Sequence, residues 1–553
     1  MSHTAHLRIT LLASASLALC LSCAHAAGPN VDAGSLLRQA EQNLKPAKAT
    51  KKRAPRKAAP TVAAQPTEAT VRINAFAFKG NTLLSSEALQ TALASFTNRA
   101  LTLAQLKEAA DAITNTYREA GWTVRAYLPK QEINNGVVTL QIVEAVFGNA
   151  HVQNTSLERI EASRLIGMAE TVLTKGQPIH ANDIDHALLL LDDLPGVSVS
   201  GNLAEGQRDG ETDLAIFAAD DALINGNASV DNQGSRATGT DRLSANLNVN
   251  SPARFGDVIN LSALKTQGSE YQRLSYTVPV GYSGWRAGVH ASNLNYHVIT
   301  PEFAALNPHG TATTRGWDAS YPLVRSQLQN INFALSYDDK KFDNTSNDTT
   351  TSYGIKVYNA TLSGNQTDQW NGGGITNASL SLTSGDKNTE DRYSKVGLNL
   401  GRLQTLSETL SGYIALSAQA TRHNLDSSEK FYLGGATGVR AYPASEAGGS
   451  DGNIFTLELR QRLAYNISVI GFYDHGWVKP NHNNNVTSPA NPNGYSLDGY
   501  GFTLAWQATQ AMDFKATLAQ RMGNNPAANT TTGMDSDGTK KITRIWLSSG
   551  IAF

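Results

Sequence analysis

The chain has 553 residues, a formal net charge of −1, 17% charged residues, 7% aromatic residues and 46 glycines. So balanced a charge leaves no electrostatic footprint for nucleic acid. Beyond the N-terminus no run of about 18 apolar residues occurs, which excludes a membrane helix. It does not exclude a transmembrane barrel, whose strands alternate apolar and polar residues.

Residues 1–26 have the form of a secretory signal: Arg8, an apolar stretch from Ile9 to Cys20, and the small-residue site Ala24-His25-Ala26. Lipid attachment at Cys23 is the alternative. Both cysteines lie in this segment, so cleavage at Ala26 leaves a chain without disulfides, thiol chemistry or Cys/His zinc sites. Residues 27–45 hold a helical stretch, Asp32 to Leu44, with an N-cap candidate and Leu36, Leu37 and Leu44 as its few apolar positions. It is too polar for a core helix. Residues 46–70 are rich in Lys, Arg, Ala and Pro and read as an extended linker, or as a tether that lets the helix reach a distant site.

Residues 71–146 and 147–221 form an internal repeat of roughly 75 residues. Each half opens with a short strand, Val71-Arg72-Ile73 or His151-Val152. Helices follow at Ser86 to Ala94 and Ala104 to Ala120, or at Ser156 to Ile166 and Asp183 to Leu194. Two strands close each half: Thr123 to Leu128 and Val137 to Glu144, then Val197 to Leu203 and Thr212 to Phe217. Such a β-α-α-β-β unit leaves an open sheet edge, which binds extended peptides by strand addition.

From residue 222 to 553 the period changes to two. Leu243 to Val249, Ile331 to Leu335 and Ala378 to Leu382 alternate apolar with Ser, Asn or Ala, and sixteen such runs reach the C-terminus. An even count places both barrel ends on one side. Short connections at Ser251 to Gly256, Gly281 to Gly284 and Leu463 to Asn466 suit periplasmic turns. Long polar ones at Tyr296 to Thr313, Asp338 to Thr351, Lys479 to Tyr495 and Arg521 to Lys540 suit outer loops. The turn Asn365 to Gly374 is longer than this pattern predicts. The final strand puts Ile545, Leu547, Ile551 and Phe553 on one face. The polar character of the opposite faces argues against a soluble β-sandwich.

Between the eleventh and twelfth runs lies the sixth outer loop, Thr421 to Gly452, with the glycine-rich stretch Phe431 to Pro443 and a central Arg440. On the thirteenth run Phe472, Asp474 and Gly476 share a face; on the twelfth, Glu458 shares one with Thr456 and Arg460. A charge inside a barrel needs a partner, and arginine with carboxylate pairs bidentately. The expectation is that the loop folds inward and Arg440 meets Asp474, with Glu458 as a further lumen partner. His290, His297, His309 and His423 lack metal spacing, and no catalytic or cofactor motif is credited.

Several motifs resemble one family. Gly80-Asn81-Thr82-Leu83-Leu84, Leu101 to Leu106 and Tyr127-Leu128-Pro129 are similar to the first polypeptide-transport-associated (POTRA) domain of two-partner secretion transporters, the haemolysin secretion/activation proteins. Leu188 to Val197 and Gly210 to Leu214 resemble the second. The helix at 32–44 is similar to the family's plug helix. Val439-Arg440-Ala441-Tyr442 resembles the inward loop's Val-Arg-Gly-Tyr/Phe motif, with Ala441 where the family has glycine. Phe472-Tyr473-Asp474-His475-Gly476 resembles its Phe-x-Asp-x-Gly motif, and the terminal Phe553 the signal for barrel insertion.

The resemblance implies a 16-stranded outer-membrane β-barrel preceded by two periplasmic POTRA domains and a plug helix. It implies export of an unfolded TpsA-type exoprotein (an adhesin, cytolysin or haem-binding protein), with barrel-assembly machinery as the partner in biogenesis. No cofactor and no nucleic acid is expected. Barrel assembly for other proteins, or a porin-like channel, are the alternatives.

Overall fold

The computed structural model describes residues 31–44, 70–133, 135–153, 156–388, 391–484 and 492–553. The expected signal segment and nearly all of the linker lie outside the described residues.

Helix α1 (Ala33–Asn43) begins with a capping box: the Ser35 amide donates to the Asp32 carboxylate at 2.8 Å, and the Asp32 amide to the Ser35 hydroxyl at 3.1 Å. The sequence reading, too polar for a core helix, needs correction. Ala33, Leu36, Leu37, Ala40 and Leu44 form one buried stripe. It packs on Leu264, Tyr271, Leu294, Tyr296, Phe342 and Tyr393, all on barrel strands and facing inward. A narrow stripe suffices because the other face of the helix meets a polar lumen.

The first repeat holds β1 (Val71–Ile73), β2 (Ala75–Lys79), α2 (Ser86–Ala92), β3 (Arg99–Leu101), α3 (Leu103–Glu119), β4 (Val124–Tyr127) and β5 (Val137–Glu144). Its sheet runs β2-β5-β4, with β2 parallel to β5, so the opening strand is β2. Val71–Ile73 instead pairs with β3 in a separate ribbon. The second repeat holds β6 (Val146–Val152), α4 (Ala162–Val172), α5 (Ala181–Asp192), β7 (Val197–Glu205) and β8 (Glu211–Asp220) in sheet order β6-β8-β7. Helix α4 starts six residues later than the expected Ser156. Leu157 and Ile160 are buried instead, and Ile160 bridges to Phe255 of a barrel turn, so tertiary contact overrides helix propensity there.

The rest is one closed antiparallel barrel of 16 strands. They are β9 (Ile224–Asp231), β10 (Arg242–Asn250), β11 (Val258–Lys265), β12 (Ser269–Val280), β13 (Trp285–His297), β14 (His309–Arg325), β15 (Gln329–Ser346), β16 (Thr349–Asp368), β17 (Gly374–Lys387), β18 (Asp391–Thr405) and β19 (Leu410–Thr421). Two short strands inside the sixth loop follow, β20 (Phe431–Tyr432) and β21 (Gly448–Gly449). The wall then resumes with β22 (Asp451–Arg462), β23 (Ile467–Lys479), β24 (Tyr495–Gln507), β25 (Met512–Met522) and β26 (Thr543–Ala552). Strand β26 closes on β9 through Ser548↔Asp231 to Ala552↔Asn227. Phe553 exchanges both backbone hydrogen bonds with Gly226 at the end of this seam.

The long outer loop expected at Asp338 to Thr351 is instead a tall hairpin. Strands β15 and β16 stay paired up to Ser346↔Thr349, and only Asn347 and Asp348 turn, both with positive φ. Asn and Asp tolerate that region, and threonines favour extended backbone, so polarity here marked an exposed strand. The turn at Asn365 to Gly374 shortens likewise, because pairing continues to Asp368↔Gly374.

The second repeat is anchored to the periplasmic turns. Arg325 forks onto Asp193 (2.7 and 2.8 Å), Arg164 donates to the Gly281 carbonyl (2.7 Å), and Tyr282 packs on Gly167. Leucines Leu243, Leu261, Leu274, Leu457, Leu504 and Leu547 all point outward and are about half exposed, as a lipid-facing surface requires.

Candidate functional site in the barrel lumen

The sixth loop, residues 422–450, folds into the barrel. The Val439 amide donates to the Leu433 carbonyl at 2.7 Å and the Tyr442 amide to the Val439 carbonyl at 3.1 Å, which makes the tip a tight turn. Arg440 projects from it onto strands β22 and β23. Its Nε and Nη2 donate to the two oxygens of Asp474 at 2.8 and 2.7 Å, a bidentate fork, and its own amide adds a third contact to Asp474 at 3.1 Å. Nη1 donates to Glu458 at 2.8 Å. The other Glu458 oxygen takes Arg460 Nε at 2.8 Å, and Thr456 Oγ1 donates to Asp474 at 3.1 Å.

Two guanidinium groups thus face two carboxylates and the cluster is neutral. The Asp474 side chain is fully buried, Glu458 is 9% exposed and Arg440 12%. The Phe472 ring lies 3.5 Å from the Arg440 guanidinium carbon, stacked beneath it. Period-two alternation explains the convergence. Thr456 and Glu458 pair across the ladder with Asp474 and Phe472, so all four project into the lumen together.

Val439, Ala441 and Tyr442 are each fully buried, in a cluster with Leu433, Phe472, Val478, Leu497 and Ala519. Ala441 has no positive φ; the left-handed residues of this loop lie at Ser445, Ala447 and Gly435. The space for its methyl comes from Gly499, where an added Cβ would come 2.6 Å from that of Ala441. Gly476 likewise leaves room for Val439, whose Cγ2 would lie 2.8 Å from a Cβ there. Phe553 is not part of this cluster; it sits exposed on the outer face beside Gly226.

Three contacts escape the sequence motifs. Trp546 Nε1 donates to the Arg440 carbonyl at 2.8 Å, tying the tip to the last strand. Glu446 accepts from Asn525 (2.9 Å) and from the Ser536 hydroxyl (2.6 Å) of the eighth outer loop. Glu429 is buried between Lys340 (3.2 Å) and Lys395 (2.8 Å) of the wall. The plug helix rests on the same stretch, where Ser427 Oγ donates to Asp32 at 2.7 Å. A tryptophan on the polar face of β26 and two wall lysines facing a loop glutamate are visible in sequence only once strand parity and loop position are known.

A closed 16-stranded barrel with an inward loop, an internal helix and appended β-α-α-β-β modules defines an outer-membrane transporter of the POTRA-barrel type. Residues 210–500 match the model of the haemolysin secretion/activation protein family ShlB/FhaC/HecB, and residues 71–145 that of the ShlB-type POTRA domain. The first match spans more than half of the chain, and the chain belongs to that family of two-partner secretion transporters. It is similar to the heme/hemopexin transporter protein HuxB of Haemophilus influenzae (strain 86-028NP), 25% identical over 472 residues, 81% of this chain and 82% of the relative. It is also similar to the outer membrane transporter CdiB of Dickeya dadantii (strain 3937), 22% identical over 71% of this chain and 73% of the relative. In fold it resembles the solved CdiB from Escherichia coli, with a TM-score of 0.69 at 17% identity over 95% of this chain and 99% of that one. The protein is an outer-membrane translocator with its POTRA modules in the periplasm.

Proposed function

We propose that this translocator exports a large TpsA-type exoprotein, an adhesin, cytolysin or haem-binding protein, with the Arg440–Asp474–Glu458 cluster holding the sixth loop in its working position. The observation that carries the reading is double occupancy of the lumen: α1 fills one side and the sixth loop another, and they touch at Asp32–Ser427. An unfolded client passes only after α1 leaves its stripe, whereas withdrawing Arg440 with the loop would leave the buried Asp474 carboxylate without its charge partner.

Client capture is assigned to an open sheet edge. In the second module the start of β6 is covered, since Phe147 N donates to the Gln177 carbonyl at 2.9 Å and Ile179 N to the Ala145 carbonyl at 3.0 Å. Strand β7 is the other edge of that sheet, and β2 and β4 are those of the first. A client strand adds there by main-chain hydrogen bonding. Barrel-assembly machinery inserts the protein itself, with Phe553 at the terminus of its closing strand as the signal.

The test is a deletion strain complemented with the wild type or with Arg440→Ala. Export requires one large exoprotein to vanish from the medium while other outer-membrane barrels stay at normal levels. Loss of those barrels instead would mark an assembly factor and sink this reading.

A further inference from the structure

We propose that the lipid-facing wall over β10–β15 carries a binding groove for a phosphorylated outer-leaflet lipid of the lipid A class. A groove of about 760 Å³, lined by residues of β9 to β14 and by Phe553, opens on the outside of the barrel there, with Arg315 in its lining and Lys341 on β15 beyond it. Its depth follows from the register. Ala245 and Ala263 pair across β10 and β11 as a shallow floor. One step along the strands Leu247, Leu261 and Leu274 form one ridge, and on the other side Leu243 forms a second. Alanines between leucines leave a trough the width of an acyl chain.

The trough changes character at its outer end. From Ala263 the same row continues through Gln272, Asn293 and Thr313 to Lys341, each paired to the next. Arg315 stands beside it on the same face, at the end of the leucine row through Ala291. Trp317, Tyr337 and Tyr358 form an outward aromatic row directly below Arg315, with ring centroids 6.4 and 4.9 Å apart, which marks the membrane interface. Arg315 and Lys341 therefore lie at headgroup level on the outer side.

Both are exposed, and among the described residues neither closes an ion pair, although Asp339 lies opposite Arg315 and Asp343 two residues from Lys341. An apolar trough, a polar neck and two open cations match an amphiphile with acyl chains below and anionic oxygens above. The outer leaflet of this membrane presents such a molecule as lipid A, whose phosphates suit the two cations.

The test uses the full-length protein in detergent, stripped of lipid and probed by native mass spectrometry with bisphosphorylated lipid A, its dephosphorylated form and phosphatidylglycerol. Wild type should retain bisphosphorylated lipid A over the other two. Arg315→Gln and Lys341→Gln should each lower retention about fivefold. Ala263→Trp, which fills the trough, should lower it too, while Arg392→Gln, outside the groove, should not. Heat-modifiable mobility verifies that every variant is a folded barrel. Equal retention by Arg315→Gln, Lys341→Gln and wild type would overturn the proposal. So would phosphatidylglycerol retained as strongly as lipid A, since the groove would then hold any membrane lipid.

Discussion

Arg440→Ala removes the side chain that forms the ion pairs between the tip of the sixth loop and the wall, and leaves the Trp546 contact to the backbone carbonyl of residue 440. The two carboxylates lose unequally. Glu458 keeps Arg460 at 2.8 Å, whereas Asp474, fully buried, keeps only Thr456 and the backbone amide of residue 440. Breaking a buried pair from one side costs about 3–5 kcal/mol. The partial exposure of Arg440 and the remaining partners of Asp474 favour the lower end, about 3 kcal/mol. That corresponds to roughly a hundredfold more of the loop-detached state. Single-cysteine labelling reads it directly once Cys20 and Cys23 are gone, with Ser445→Cys near the tip as reporter. Labelling should accelerate about a hundredfold in Arg440→Ala while the barrel keeps its heat-modifiable mobility. Adding Asp474→Asn to Arg440→Ala should cost less than the two single changes together, because the uncompensated charge is gone. An unchanged labelling rate in Arg440→Ala, or strict additivity, would refute the idea that the ion cluster holds the tip.

Gly499→Val should displace Ala441, because even a Cβ at residue 499 comes within 2.6 Å of its methyl. Overpacking of this kind costs about 1–3 kcal/mol, and the same labelling assay should show the tip loosened. Leu37→Asp puts a carboxylate on the fully buried stripe of α1, at a cost on the order of 3 kcal/mol. It should raise basal conductance in planar bilayers; unchanged conductance would mean the helix does not block the pore.

In the first POTRA module, burial alone would raise the Glu144 carboxyl. Hydrogen bonds from the Thr82 hydroxyl, the Leu83 and Thr82 amides and the Tyr117 hydroxyl hold it below its ordinary value. A lowered folded value means its stabilisation is complete above the unfolded carboxyl's pKa of about 4.3 and disappears as pH falls through the folded value. Hydrogen exchange at Thr82 and Leu83 in the full chain should rise about tenfold in Glu144→Gln at neutral pH. Wild type should show the same rise only under acid, and an exchange rate insensitive to this substitution would remove Glu144 from the module's support.

The barrel strands were legible in sequence because period two is a local property. Each residue on Leu243–Val249 or Ile545–Phe553 is assigned to lipid or lumen by parity alone, and every outward leucine named above obeys it. Parity also placed Thr456, Glu458, Phe472 and Asp474 toward the lumen. The second helix of the first POTRA module was legible from the stretch Leu101-Thr102-Leu103 that introduces it, where the structure shows a capping box between Thr102 and Gln105 at the third helical position. Where expectation and structure part, at Ser156–Ile160, Asp338–Thr351 and α1, a distant contact decides. Ile160 extends to reach Phe255, the β15–β16 hairpin stands because two strands share one register, and α1 buries its few leucines on a wall that lies hundreds of residues away in sequence.

The sequence by itself therefore determined the alternation of faces along the barrel strands, their number, and that Arg440 and Asp474 carry opposite charges into a polar interior. Only the tertiary structure decided that Ala441 fits without strain, because the room it needs belongs to Gly499 on another strand. It also decided that Trp546, Glu446 and Glu429 fix the loop from three further sides. Alternation, capping and turn chemistry act between near neighbours and can be read in order along a chain. Packing volume and charge pairing act between residues that only barrel closure brings together, so no local pattern records them.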